Sequence, residues 1–133
     1  MKVSEKMFNS KTLSRFVLGA YMVLIFYVSS LPNLTLASIG MTVNNFLAHM
    51  VEYAILGVLM GRVVAQFTSN VYAVFFSSFA LSLGYGISDE AHQFFVPTRF
   101  CTVTDVCVDA IGSLVGVLLY LAITEKRSHK SHH

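Results

Sequence analysis

Charge is scarce in this sequence. Asp, Glu, Lys and Arg together make up 12% of its 133 residues, about half the share of a typical soluble domain. With 55% hydrophobic residues and a mean hydropathy of +0.65, that scarcity excludes an ordinary water-soluble fold. Cysteine is almost absent as well: Cys101 and Cys107 are too few for a disulfide framework. They read as free, small apolar side chains, with a loop-to-helix bridge on an oxidising face as the alternative. Only two prolines occur, Pro32 and Pro97, so the apolar runs between them are free to stay helical. The nine basic residues are concentrated toward the two ends and do not alternate with exposed aromatics, which argues against a nucleic-acid partner and for a role in membrane topology.

What is present is a series of long apolar stretches. The chain has room for no more than about four or five spans of roughly 20 residues, and four are found. After a basic segment holding Lys2, Lys6, Lys11 and Arg15, the first runs from Phe16 to about Leu31 and is stopped or bent by Pro32. A cleaved signal peptide has the same basic-then-apolar pattern, but no clear small-x-small site directly follows this run. Residues 33–43 read as a short interfacial loop. Asn44 or Asn45 caps a second helix reaching about Ala65, and a third, uncharged run extends from Val71 to Ile87. A polar block from Ser88 to Thr102 contains Pro97. Thr102 or Thr104 then caps a fourth helix to about Thr124. The expected organisation is all-α: a cytoplasmic segment at 1–15, a transmembrane bundle of four helices at 16–124 and a flexible polar tail at 125–133. The tail's His129, His132 and His133 are expected to be solvated rather than metal-bound.

Within the apolar chain, Asp89, Glu90, His92, Arg99, Asp105 and Asp109 fall in about twenty residues. Four spans with a cytoplasmic N-terminus would put eight basic residues on the cytoplasmic side and only Arg99 on the other, so this polar block is expected to face outward. On the second helix Asn45, His49 and Glu52 share one face at i, i+4 and i+7. Asp105 and Asp109 do so on the fourth, with Gly112 and Gly116 continuing their stripe. The third helix arrives at the same end with Ser88, Asp89 and Glu90. Glu52 and Asp109 should lie about 9 to 12 Å below the interface, where a charge facing lipid costs about 2.5 to 3.5 kcal/mol, so they should point inward. Gly57 and Gly61 repeat the small-xxx-small spacing of Gly112 and Gly116 and suggest that the second and fourth helices pack closely.

Three roles are open for this cluster. It could be a buried polar network that holds the helices together, pairing His49 with Glu52 or Asp109 and Arg99 with Asp89 or Glu90. It could recognise or transform a lipid head group. In that case carboxylates would hold a divalent cation, Arg99 would clamp a phosphate, and His49 or His92 would act as base. It could also be an ion or proton path, against which stands an inner half that looks dry.

Three segments resemble the VanZ-like family of small bacterial membrane proteins. They are His49-x-x-Glu52-Tyr53-Ala54-Ile55-Leu56-Gly57, Tyr85-Gly86-Ile87-Ser88-Asp89-Glu90-x-His92-Gln93-x-Phe95-Val96-Pro97-x-Arg99, and Asp105-x-x-x-Asp109-Ala110-x-Gly112-x-x-x-Gly116. Ser29-Ser30-x-Pro32 adds to them, and the resemblance runs from about Val17 to Leu119. Thr98 stands where the family usually has Gly, so a stiffer turn with less room for positive φ is expected before Arg99. Phe46 stands where many members have Lys. The resemblance implies a multi-pass bundle in the cell envelope and, in some members, reduced sensitivity to glycopeptides such as teicoplanin.

Together these observations lead to an inner-membrane protein that binds or processes a phosphate-bearing envelope lipid in an outward-facing pocket. His49, Glu52, Asp89, Glu90, His92, Asp105 and Asp109 are the candidate catalytic residues, with His49 and Glu52 as the proton-handling pair. Gln93, Arg99, Asn45 and Ser30 are the candidate substrate contacts, and Asp89, Glu90, Asp105 and Asp109 the candidate ligands of a divalent cation. The alternative is a non-enzymatic binding or assembly factor whose polar cluster is structural.

Overall fold

The computed structural model of the protein describes residues 2–31, 45–98 and 102–130, with side chains over 10–31, 46–98 and 102–125. Four helices follow one another: α1 (Lys2–Ser29), α2 (Asn45–Val64), α3 (Val71–Gln93) and α4 (Val103–Lys130). Each contains a stretch long and apolar enough to cross a bilayer, namely Ser10–Ser29, Phe46–Val64, Val71–Gln93 and Val103–Glu125. Their outward faces carry Phe16, Leu24, Tyr72, Phe76, Ile111 and Leu118. Such a surface suits hydrocarbon, where a helix satisfies its own backbone and needs no water.

The helix starts follow local chemistry. The Asn70 side chain accepts a hydrogen bond from the backbone N–H of Ala73 at 3.2 Å and opens α3. Thr102 does the same for α4 through the N–H of Asp105 at 3.2 Å. Three elements run longer than the residue pattern suggests. The basic N-terminal segment is already helical from Lys2, α3 continues through the polar block to Gln93, and α4 continues to Lys130 across part of the expected tail.

The tightest pair is α2 with α4; α3 packs on both, and α1 lies mainly against α2. Glycine makes the α2–α4 approach possible. A Cβ at Gly57 would stand 2.5 Å from the carbonyl oxygen of Ser113, one at Gly112 would strike the Met50 carbonyl, and one at Gly116 the Ala54 carbonyl. Gly61 meets the Tyr120 ring instead. The apolar core beside this seam is built from Leu18, Ile25, Tyr53, Leu56 and Met60. Because lipid supplies little hydrophobic drive between helices, hydrogen bonds hold α1 in place. Tyr21 donates to the Glu52 carbonyl at 3.0 Å, and Tyr85 donates to the Met22 carbonyl at 2.5 Å. At the other end Arg62 Nε donates to Ser14 Oγ at 2.8 Å and Arg15 Nε to Gln66 Oε1 at 3.0 Å.

Candidate functional site

The up-and-down order brings the C-terminal ends of α1 and α3 together with the N-terminal ends of α2 and α4. On α3 the buried residues Gly86, Asp89, Glu90 and Gln93 recur every three or four positions, so the polar block continues the inward stripe of the helix. This is why α3 does not stop where its charges begin.

Two polar groupings result. In the first, Asp89 is 4% exposed, and both of its oxygens are engaged. Ser29 Oγ donates to Oδ1 at 2.5 Å and Gln93 Nε2 to Oδ2 at 2.9 Å. Beside it, Ser30 donates to the Phe26 carbonyl at 2.6 Å, which leaves His92 Nε2 to donate to Ser30 Oγ at 2.9 Å. The His92 ring also packs on Phe26, with centroids 4.4 Å apart. These bonds tie α1 to α3 and leave Asp89 with little capacity for a further partner.

The second grouping joins α2, α3 and α4. His49 Nδ1 donates to Asp109 Oδ1 at 3.1 Å, the direction an ionised carboxylate requires. Ligand-type atoms of His49, Glu90 and Asp109 all lie within 4.8 Å of one another. Glu90 and Asp109 are 2% and 0% exposed. Asp109 Oδ2 has no hydrogen-bond partner among the described residues, nor does the buried hydroxyl of Tyr53. Gly86 makes room for both: a Cβ there would stand 3.1 Å from the Tyr53 ring and 3.5 Å from Asp109 Oδ2.

The other expected site residues fall elsewhere. Glu52 is half-buried one turn from His49, whose Nδ1 bonds Asp109. Asp105 sits half-buried in the first turn of α4, where Thr102 Oγ1 donates to its Oδ2 at 2.6 Å. It therefore serves the helix start. Asn45 begins α2, with its side chain outside the described residues, as are all of Arg99 and Cys101. Cys107 is a free, exposed thiol. Of the four carboxylates expected around a cation, Glu90 and Asp109 are thus brought together with His49.

Sequence reasoning missed the part played by Ser29, although the Ser29-Ser30 pair is among the matching residues. It also missed a polar seam below the acids. Ser78 and Ser82 on α3 and Ser113 on α4 are each 0% exposed, and their hydroxyls have no partner among the described residues. The inner half next to Asp109 is therefore less apolar than expected. Thr98 differs too: its φ is 72°, a left-handed conformation that β-branched residues rarely adopt, despite the expectation of less room for it.

Four membrane-spanning helices with a buried acid and imidazole grouping at one end define a small polytopic membrane protein. Residues 3–124 match the VanZ/LLP1 family, and the chain belongs to this VanZ-like family. Neither curated proteins nor solved structures give a match.

Proposed function

We propose that this VanZ-like protein resides in the bacterial cytoplasmic membrane with both termini in the cytoplasm. Its recess opens outward and binds a phosphate-bearing envelope lipid, contributing to glycopeptide (teicoplanin) resistance. Orientation is supported by the eight-to-one distribution of basic residues. The observation that carries the binding reading is the grouping of half-buried His49 with buried Glu90 and Asp109 within membrane-spanning segments, with a carboxylate oxygen of Asp109 left over. Polar groups so placed are costly, and intramembrane ionisable groups of this kind commonly mark ligand paths. Within the reading, Arg99 contacts the phosphate and His49, Glu90 and Asp109 meet the polar head. The same set supports phosphoryl transfer to water or an alcohol, with His49 or His92 accepting the proton.

The structural alternative has its own support in the saturated Ser29, Asp89, Gln93 and Ser30, His92 contacts, which suit a clasp between α1 and α3. The two roles separate by variant. Native mass spectrometry from mixed micelles of phosphatidic acid and phosphatidylcholine tests the binding. The wild type is expected to retain phosphatidic acid selectively, and folded Asp109→Asn to lose that selectivity. Equal retention of both lipids by the wild type would remove the phosphate reading.

A further inference from the structure

We propose that His49, Glu90 and Asp109 form a three-ligand site for a transition-series divalent cation such as Zn²⁺ or Mn²⁺. The biological use of this ion rests on the lipid-phosphate reading, but its binding does not.

The spacing fits. Two donors at 2.0 to 2.2 Å from a tetrahedral ion lie about 3.3 to 3.6 Å apart. His49 Nδ1 and Asp109 Oδ1 are 3.1 Å apart, and the whole trio lies within 4.8 Å, so small side-chain rotations close it around one ion. The three ligands come from three helices, and the glycine-mediated contact of α2 with α4 limits how far two of them can separate.

Two unsatisfied atoms, one within the cluster and one beside it, point to a missing partner. Asp109 Oδ2 is fully buried without one among the described residues, although its sister oxygen is bonded. The Tyr53 hydroxyl is also buried without a partner among the described residues, and its ring packs against Gly86 as Asp109 does. Leaving a buried oxygen unsatisfied is costly, and two such atoms on side chains that both pack against Gly86 are better explained by an ion with its bound water. The donor set of one imidazole and two carboxylates suits Zn²⁺, Mn²⁺, Fe²⁺ or Co²⁺ more than Mg²⁺ or Ca²⁺, which prefer oxygen alone. The ion takes the Nδ1 lone pair of neutral His49, whose single ring proton then sits on Nε2. Three protein ligands leave a coordination position for water or a phosphate oxygen. Asp89 and Asp105 stand outside the set of donor atoms that lie within 4.8 Å of one another, and they are engaged instead by Ser29 with Gln93 and by Thr102.

The test uses full-length protein in detergent, stripped with EDTA, and titrated with Co²⁺ as a spectroscopic probe followed by Zn²⁺ competition. One equivalent of Co²⁺ with d–d absorption, displaced by Zn²⁺, is expected. Glu90→Gln and Asp109→Asn should each weaken binding by at least about tenfold, whereas Asp105→Asn should not. Circular dichroism and gel filtration establish which variants fold; should Asp109→Asn fail, Glu90→Gln and His49→Gln carry the comparison. Absence of saturable uptake by folded wild type, or uptake undiminished in folded Glu90→Gln, overturns the site. Phosphatidic acid is then added to the Co²⁺ form. A spectral change supports phosphate at the open position, and its absence with full uptake removes the lipid reading while the cation site stands.

Discussion

Adding a single methyl group at Gly116 should loosen the bundle more than the same change at Gly84. The new Cβ at position 116 would overlap the Ala54 carbonyl oxygen and approach Ala54 C at 2.8 Å and Cα at 3.0 Å. All three are backbone atoms, so no side chain can swing aside and α2 itself must retreat. A gap of about 0.5 to 1 Å forfeits a quarter to a half of the dispersion attraction across a contact, and overpacking of this kind costs about 1 to 3 kcal/mol. At Gly19 and Gly84 an added Cβ meets nothing within 4 Å among the described residues outside its own helix backbone. Alanine there only improves helix propensity, by up to about 1 kcal/mol. Unfolding of the purified variants by heat or by rising SDS fraction compares them directly. Gly116→Ala should rank well below wild type, with Gly19→Ala and Gly84→Ala at or above it. A Gly116→Ala protein as stable as Gly84→Ala would refute the close α2–α4 seam, and with it the constraint that keeps His49 near Asp109.

Other consequences are open to the same assays. Ser29→Ala leaves Asp89 Oδ1 without its buried donor and should cost about 1 to 3 kcal/mol in the same unfolding measurements. Thr98→Gly relieves a left-handed residue. The relief is about 1 to 2 kcal/mol, offset by about 0.5 to 1 kcal/mol of added chain entropy, so a small net gain in thermal stability is expected. Green fluorescent protein fused after His133 should fluoresce, and alkaline phosphatase fused after Pro97 should be active; the reverse pattern would contradict the proposed orientation. Cells expressing the wild type should survive more teicoplanin than cells expressing folded Asp109→Asn, measured as the minimal inhibitory concentration.

The four spans are legible because apolar runs bounded by Pro32, the Gln66 to Asn70 segment and Pro97 leave few other readings. Where α3 ends is harder to read. Ser88 to Gln93 look like a polar break until Asp89, Glu90 and Gln93 are placed on the face that already buries Ser78, Ser82 and Gly86. Asp105 and Asp109 share the i, i+4 spacing that suggests joint action, but Asp105 lies in the first turn, where Thr102 engages it. Spacing within one helix does not distinguish the two cases. Serine gives little warning of burial, since membrane helices accept it on any face by bonding to their own carbonyls, as Ser14 does to Ser10. That Ser78, Ser82 and Ser113 do otherwise emerges only once the helices are packed.

Photo-crosslinking tests the central claim most directly. Protein in vesicles containing a phosphatidic acid analogue with a photoreactive group beside its phosphate would be irradiated and digested, and the labelled residues located by mass spectrometry. The account predicts labels clustered near residues 46–53, 86–98 and 102–110, depleted in folded Asp109→Asn. Labels spread along the lipid faces of Phe16, Leu24 and Tyr72, and unchanged in that variant, would contradict a phosphate-binding recess.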